Sequence, residues 1–311
     1  MKPFALRLVE SIRKTGNPCS IGLDPRIHLM PEFITAARTG SARNITRSII
    51  SDFHELVLDA ITGLVPAVKP QLAFFEQYGV AGMEAFENTV QAAKQRGLLV
   101  IADAKRNDIS STAEAYAKAF LSDQAFDADA MTVTPYLGRD SLVPFVELCR
   151  QNGKGLFVVL KTSNPGSRDY QDQPLQASGQ PLYETVARTI EELGSNLVGE
   201  TGYSAIGAVI GATFPEEARR LRELLPRSFI LVPGYGAQGA TGQSAAACFH
   251  SNGLGAIVNS SRGITYSGSA QNVSRQEFVK LVRENTERMI EEVTSALSAI
   301  SAAPSYPAAS R

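Results

Sequence analysis

The sequence predicts an α/β protein in which eight parallel strands close into a (β/α)8 barrel, the TIM-barrel architecture. Eight short apolar runs alternate with longer segments whose apolar residues recur at helical spacing. The runs are continuous, as in parallel strands that helices cover on both faces. Such a barrel takes roughly 250 residues, which is close to what remains of the 311 residues once both ends are set aside.

The strands and helices follow from these runs in chain order. We predict strands at residues 19–23, 67–72, 98–102, 130–134, 155–160, 205–210, 229–232 and 256–259. We predict helices at residues 45–64, 81–95, 109–121, 141–151, 182–193, 215–225 and 243–250, and an amphipathic helix ahead of the first strand. An open dinucleotide-binding sheet is excluded because the chain reads Gly22-Leu23-Asp24-Pro25-Arg26 after Ile21, where that fold carries G-x-G-x-x-G.

The chain is predicted to be one domain with a short tail. Residues 1–300 form the barrel domain, which includes the N-terminal helix, and residues 301–311 form a flexible tail rich in Ala, Ser and Pro. We expect fraying to begin at Ser295. Loops 25–42 and 163–181 are long for α/β connections and follow strands, so they lie where barrel active sites are built. The alternative interpretation is that both loops are flexible and have no regular structure.

Composition and charge exclude several classes of protein. The 30 Lys and Arg residues against 31 Asp and Glu leave a net charge of -1, which speaks against a disordered chain and against a nucleic-acid partner. The three cysteines are widely spaced, which argues against a disulfide framework or a cysteine zinc site. No apolar run approaches the roughly 20 residues of a membrane span. We therefore expect a cytoplasmic protein without a membrane partner.

A cluster of charged residues follows the third predicted strand. Asp103, Lys105 and Asp108 come directly after an apolar run, and Lys69 ends the second strand. Because side chains alternate along a strand, Asp103 and Lys105 share one face at the mouth of the barrel. Two lysines and two aspartates around one mouth are costly to assemble in a low dielectric without a function. A solvated Asp103–Lys105 pair and a helix N-cap at Asp108 are the alternative interpretations.

Glycine-rich loops follow the seventh and eighth predicted strands. The first contains Gly234, Gly236 and Gly239, which leave backbone N–H groups open to an anion, and the second contains Arg262. Phosphate binds between these two loops in many barrel enzymes, and arginine suits bidentate phosphate contacts. The two loops together therefore predict a phosphate site, although ordinary glycine turns with a surface arginine would have the same sequence.

These residues resemble the orotidine 5'-phosphate decarboxylase family, in its longer bacterial subfamily. The resemblance rests on Asp103-Ala104-Lys105-Arg106-Asn107-Asp108-Ile109, Lys69, the loop at 233–239 and Ser260-Ser261-Arg262-Gly263, and it spans residues 21–264. Metal-dependent sugar-phosphate enzymes of the same superfamily share the Asp-x-Lys-x-x-Asp motif but have an acidic residue near Lys69. Many family members have glycine where Asn107 stands, which leaves the local backbone conformation open.

The resemblance implies catalytic roles for four residues. Lys105 would protonate C6 of the pyrimidine as carbon dioxide leaves, and Asp103 would lie against the substrate carboxylate while holding Lys105. Lys69 would bind the ribose and fix the aspartates. Asp108 would reach into the pocket of a neighbouring subunit of a homodimer. The resemblance implies no metal ion and no cofactor.

The resemblance also implies a set of substrate-binding residues. Asp24 would bind a ribose hydroxyl, although turn initiation before Pro25 is the alternative for this residue alone. Ser163 would contact the pyrimidine edge. The remaining residues would act at the subunit interface (Ile109, Thr112) or at the phosphate (Gly236, Gln238, Ser261, Arg262). A metal-dependent sugar-phosphate decarboxylase or synthase and a non-catalytic nucleotide-binding barrel remain the alternative functions.

Overall fold

The computed structural model is a closed barrel of eight parallel strands. It describes residues 2–236, 239, 241–267 and 272–301, without the side chains of residues 300 and 301. The strands are β1 (Cys19–Leu23), β2 (Ala67–Pro70), β3 (Leu99–Arg106), β4 (Ala130–Val133), β5 (Gly155–Lys161), β6 (Ser204–Ile210), β7 (Ser228–Val232) and β8 (Ala256–Ser260). Each strand pairs with its neighbours in sequence, and β8 closes the barrel on β1. The predicted fold is confirmed, and every predicted strand is present.

Helices surround the barrel between successive strands. The α-helices are α1 (Phe4–Thr15), α2 (Glu32–Thr35), α3 (Ala42–Ile61), α4 (Leu72–Glu76), α5 (Gly79–Gln95), α6 (Ser110–Leu121), α7 (Arg139–Asn152), α8 (Leu182–Gly194), α9 (Pro215–Leu224), α10 (Gly242–Ala246), α11 (Arg262–Thr265) and α12 (Arg275–Ser301). Each predicted helix has a counterpart, and α10 is shorter than predicted. No helix within the described residues is long and apolar enough to cross a membrane.

The N-terminal helix α1 closes the end of the barrel opposite the charged residues. Its apolar face joins a buried cluster with side chains from inside the barrel, such as Phe157 and Phe229. The rings of Phe4 and Phe157 meet edge to face, with centroids 5.9 Å apart. Arg7 adds an ion pair with Asp129. The apolar face predicted for this segment therefore covers the amino-terminal end of the barrel.

The C-terminal helix α12 corrects the expectation that the chain frays from Ser295. The helix continues through Ser301. Val293 and Leu297 are one helical turn apart, and both are buried on the same face. The helix packs against α3 and α10. Small Ala and Ser residues in this stretch are good or neutral helix formers, so the two apolar anchors decide its structure. Residues 302–311 lie outside the described residues.

The two long loops contain regular structure of their own. Loop 25–42 includes a 3-10 turn at Ile27–Leu29 and the short helix α2, and loop 163–181 includes a 3-10 helix at Pro165–Asp169. Backbone pairing between Pro174 and Pro181 narrows the base of the second loop. Both loops therefore have defined conformations beside the mouth of the barrel.

Candidate active site

A cavity of about 420 Å³ opens at the carboxyl ends of the strands. Seven of the residues predicted from the sequence line it, namely Asp24, Lys69, Asp103, Lys105, Ser163, Ser261 and Arg262. They come from the ends of β1, β2, β3, β5 and β8 and from the loops that follow, so the barrel gathers side chains that are far apart in sequence. This is the end at which barrel enzymes place their active sites.

The carboxylate of Asp103 forms the centre of the charged cluster. Lys69 donates to its Oδ2 at 2.7 Å, and Lys105 donates to its Oδ1 at 2.5 Å. Lys69 and Asp103 are buried, whereas the Lys105 side chain is 42% exposed and faces the cavity. The two lysines therefore share one buried anion, and Lys105 has the more open approach for a ligand.

The charges in this cluster stabilise one another. Burial acts to raise the pKa of Asp103, but the ammonium groups of Lys69 and Lys105 outweigh it and hold that pKa well below its usual value. Burial acts to lower the pKa of Lys69, yet Asp103 and Asp24 raise that pKa above the usual lysine value. The Lys69–Asp103 pair therefore stays ionised at neutral pH.

A bulge in β3 directs Lys105 toward the cavity. Ala102 pairs with Met131 and Arg106 pairs with Val133, so three residues of β3 face a single residue of β4. Lys105 has a φ of 45°, in the left-handed region that residues other than glycine seldom adopt. Asn107, in contrast, is not among the residues with positive φ, so nothing in its backbone conformation requires glycine.

The opposite wall of the cavity contains the predicted anion site. Ser261 and Arg262 lie where β8 leads into α11, and both line the cavity together with Gly234. A Cβ at Gly22 would lie 2.6 Å from the Cβ of Ser261, so β1 needs glycine to let this loop approach. Gly236 lines a neighbouring cavity against α12 instead. Gln238 lies outside the described residues.

Asp24 presents a free acceptor to the cavity. Its Oδ1 is buried and has no hydrogen-bond partner among the described residues. Its main-chain oxygen, by contrast, accepts a hydrogen bond from Tyr266 at 3.0 Å. Unsatisfied carboxylate oxygens are rare in buried positions, so Asp24 is suited to accept a hydrogen bond from a ligand.

The cavity carries an excess of positive charge. The cations that line it are Arg26, Lys69, Lys105, Lys161 and Arg262, against the carboxylates of Asp24 and Asp103. Lys161 pairs with Asp172 behind the lining. A concave surface of this sign attracts and binds anionic ligands.

The family comparison agrees with this geometry. Residues 46–276 match the model of the Orotidine 5'-phosphate decarboxylase / HUMPS family. The chain belongs to this family.

Similar proteins of this family cover nearly the whole chain. An orotidine 5'-phosphate decarboxylase from Rhodopirellula baltica is 44% identical over 283 residues, which cover 89% of this chain and 91% of that protein. One from Caldicellulosiruptor saccharolyticus is 41% identical over 309 residues, or 96% of this chain and 100% of that protein. Among solved structures, the Leishmania donovani OMP decarboxylase has a TM-score of 0.74 at 30% identity, and the match covers 95% of this chain and 99% of that chain.

The curated relatives are named orotidine 5'-phosphate decarboxylase, an enzyme of pyrimidine biosynthesis. The chain is accordingly a decarboxylase by membership in the orotidine 5'-phosphate decarboxylase family. The sequence prediction of this enzyme class is confirmed.

Three residues that the family resemblance assigned to the subunit interface lie outside the cavity. Asp108 accepts a hydrogen bond from the main-chain N–H of Ile109, and among the described residues it forms no ion pair with a lysine. Ile109 is 51% exposed, and Thr112 is exposed on α6. The cluster within one subunit is therefore Lys69, Asp103 and Lys105, with Asp24 rather than Asp108 as the second aspartate of the cavity.

Sequence reasoning missed two polar residues that contact Asp103. Gln71 donates to Asp103 Oδ2 at 2.9 Å, and Thr132 donates to Asp103 Oδ1 at 2.9 Å. A signal for Gln71 was its position two residues after Lys69. The signal for Thr132 was a polar residue inside the apolar run of a strand covered on both faces.

Proposed function

We propose that this cavity decarboxylates orotidine 5'-phosphate without a metal ion or cofactor, and that Lys105 protonates C6 of the pyrimidine. The observation that supports this proposal is the sharing of the buried Asp103 carboxylate by Lys69 and Lys105 on the cavity wall. Loss of carbon dioxide from C6 leaves an electron pair in the plane of the ring, where the π system does not accept it. A fixed ammonium group at that point stabilises the developing charge and then supplies the proton.

Asp103 destabilises the bound substrate relative to the transition state. Its pKa lies well below the usual value because the two ammonium groups outweigh the effect of burial, so it stays anionic beside the substrate carboxylate. Two carboxylates in contact repel each other, and the repulsion is relieved when carbon dioxide leaves. Binding energy from a distant part of the substrate must offset this repulsion.

The anion site supplies that distant binding energy. In the proposal, Arg262 and Gln238 hold the phosphate together with the backbone N–H groups of Gly236 and Ser261. The positive excess of the cavity lining suits a substrate that carries both a carboxylate and a phosphate. Arginine contributes two parallel hydrogen bonds to phosphate oxygens. Binding of the phosphate therefore holds the substrate carboxylate against Asp103.

The ribose and the base lie between these two ends. The Oδ1 of Asp24, which has no partner among the described residues, accepts a hydrogen bond from a ribose hydroxyl, and Lys69 also binds the ribose. Ser163 contacts the pyrimidine edge. The position of Ser163 is limited by Gly211, at which a Cβ would lie 3.0 Å from the Ser163 Cβ. These contacts select a nucleotide over a simple sugar phosphate.

The working unit in this proposal is a homodimer. Asp108, Ile109 and Thr112 lie outside the cavity of their own subunit, and the 51% exposed Ile109 is an apolar side chain that a partner would cover. In the dimer these residues complete the partner's active site. The three free cysteines, which are all buried, suit an enzyme of the reducing cytoplasm.

Absorbance of the pyrimidine tests the proposal directly. The purified protein is mixed with orotidine 5'-monophosphate in the presence of EDTA, and the ultraviolet change that accompanies UMP formation is followed. We expect full activity with EDTA. A loss of activity that added magnesium restores would identify the metal-dependent alternative, and binding of the nucleotide without turnover would identify a non-catalytic barrel.

A further inference from the structure

The Asp103 carboxylate accepts four hydrogen bonds, of which two come from uncharged side chains. Lys105 and Thr132 donate to Oδ1, and Lys69 and Gln71 donate to Oδ2. An ionised carboxylate has about four lone-pair sites, so these donors occupy the full acceptor capacity of the group. The four donors therefore fix the orientation of the carboxylate and keep it ionised.

Thr132 also fixes the backbone of the catalytic lysine. Its Oγ1 accepts a hydrogen bond from the main-chain N–H of Lys105 at 2.9 Å. The β3 bulge places three residues opposite Thr132 alone, so this N–H lacks the regular carbonyl partner of a strand. The hydroxyl takes the place of that carbonyl and supports Lys105 at its φ of 45°.

Lys105 depends on this support because little else holds it. Its side chain is 42% exposed, and Asp103 is the partner of its Nζ among the described residues. Thr132 is completely buried and does not line the cavity. Any effect of Thr132 on the reaction is therefore transmitted through Asp103 and Lys105.

We propose that Thr132 is a positioning residue for the decarboxylation, because its single hydroxyl sets both the carboxylate of Asp103 and the backbone of Lys105. Gln71 assists by fixing the second oxygen of the same carboxylate. This inference rests on the proposed function, since it assigns Thr132 to the chemical step of that reaction. Phosphate and ribose contacts are made by other elements, so the effect of Thr132 falls on turnover and leaves binding unchanged.

The test compares valine and serine at position 132. Valine has nearly the shape of threonine without the hydroxyl, whereas serine keeps the hydroxyl and loses the methyl group. Hydrogen bonds to charged groups correspond to roughly 10- to 100-fold in rate. We expect Thr132→Val to lower kcat by about this factor with KM for orotidine 5'-monophosphate within about threefold of the parent, and Thr132→Ser to retain kcat within about threefold.

Thr286→Val is the matched control, because Thr286 is also fully buried and its hydroxyl donates to the main-chain oxygen of Val282, on α12. We expect its kcat to equal that of the parent. Calorimetric binding of UMP adds a readout of the intact pocket, and Thr132→Val should bind UMP as the parent does. If Thr132→Val does not fold, Gln71→Met tests the positioning of Asp103 through its other oxygen, and UMP binding is the control because Gln71 itself lines the cavity.

Three results would overturn the inference. They are a kcat of Thr132→Val within threefold of the parent, equal losses in the valine and serine variants, or a loss of UMP binding that parallels the loss of turnover. If Thr132→Val cannot be tested, an unchanged kcat of Gln71→Met overturns it. A parent protein that binds the nucleotide but does not decarboxylate it would contradict the proposed function itself, which distinguishes the two failures.

Discussion

The hydroxyl of Tyr266 donates to the main-chain oxygen of Asp24 at 3.0 Å and accepts a hydrogen bond from the main-chain N–H of Arg26 at 3.0 Å. Tyr266 directly follows α11, the helix that Arg262 begins. Its ring stacks on Phe53 with centroids 5.3 Å apart. The tyrosine therefore connects the predicted ribose side of the cavity to the predicted phosphate side.

Tyr266→Phe should weaken substrate binding. The variant keeps the stacked ring but leaves the N–H of Arg26 without its acceptor, so the segment that carries Asp24 loosens. We expect KM for orotidine 5'-monophosphate to rise several-fold and the free energy of unfolding to fall by about 1–3 kcal/mol. Steady-state kinetics and urea unfolding measure the two effects. Tyr170→Phe, at a 71% exposed position, is the control, and an effect of equal size there would contradict this role.

Arg262→Ala should act mainly on binding. The guanidinium lines the cavity at the start of α11, and the loss of a charge-assisted contact to phosphate corresponds to roughly 1.5–3 kcal/mol. We expect KM to rise by about 10- to 100-fold. Arg150→Ala, which removes an exposed arginine from α7, should leave KM unchanged. An unchanged KM and kcat in Arg262→Ala would remove this residue from the phosphate site.

His54 predicts a pH dependence of stability that is separate from catalysis. The side chain is buried, and burial lowers its pKa to about 3. Thr89 Oγ1 donates its proton to Ala85, so the contact between Thr89 and His54 Nδ1 requires that Nδ1 carries hydrogen. Nε2 then has neither a proton nor a hydrogen-bond partner among the described residues. The folded protein therefore holds a neutral imidazole.

Because the pKa of His54 is lower in the folded chain, the unfolded chain binds the additional proton. Stability from this group is present above about pH 6.5 and is lost as the pH falls toward about 3, with a slope of about 1.4 kcal/mol per pH unit. His54→Leu should reduce the change in the free energy of unfolding with pH in this range. Urea unfolding between about pH 4 and 7 measures the change. Equal slopes in the parent and in His54→Leu would contradict the assignment.

The proposed sharing of sites between subunits predicts complementation. Asp108→Asn and Lys105→Ala should each be inactive alone, because each removes one of the groups that meet in a composite site. Random mixing of the two should restore up to about a quarter of the parent activity, since half of the dimers are hybrids with one intact site each. Activity is measured after subunit exchange is demonstrated by labelled subunits. No recovery under those conditions would show that each site is built from one chain.

The barrel and its charged cavity could be predicted because both follow from local patterns. Apolar runs covered on both faces identify parallel strands, and strand ends must meet at one rim, so Lys69 and Asp103 were expected together. The two are bonded in the structure. The proximity of Asp103 and Lys105 was also predicted, because side chains two residues apart share one face of a regular strand. In the structure this proximity depends instead on the bulge in β3 and on the φ of 45° at Lys105.

The features that the sequence did not predict depend on contacts between residues far apart in the chain. Thr132 is a single polar residue in β4, and its partners lie on another strand. The last turns of α12 are held by Val293 and Leu297 against the rest of the fold, whereas the local composition of Ala and Ser suggested a frayed tail. The placement of Asp108 outside its own cavity likewise depends on how α6 begins.

The most direct test of the account is the turnover of Lys105→Ala with orotidine 5'-monophosphate, measured beside its affinity for UMP. Of the two ammonium groups of the Asp103 cluster, this lysine is the more exposed on the cavity side. The account predicts that turnover is almost abolished while UMP still binds and the chain stays folded. Retention of more than about a tenth of the parent kcat, only about 1.4 kcal/mol in barrier, would contradict the role of Lys105 as the acid.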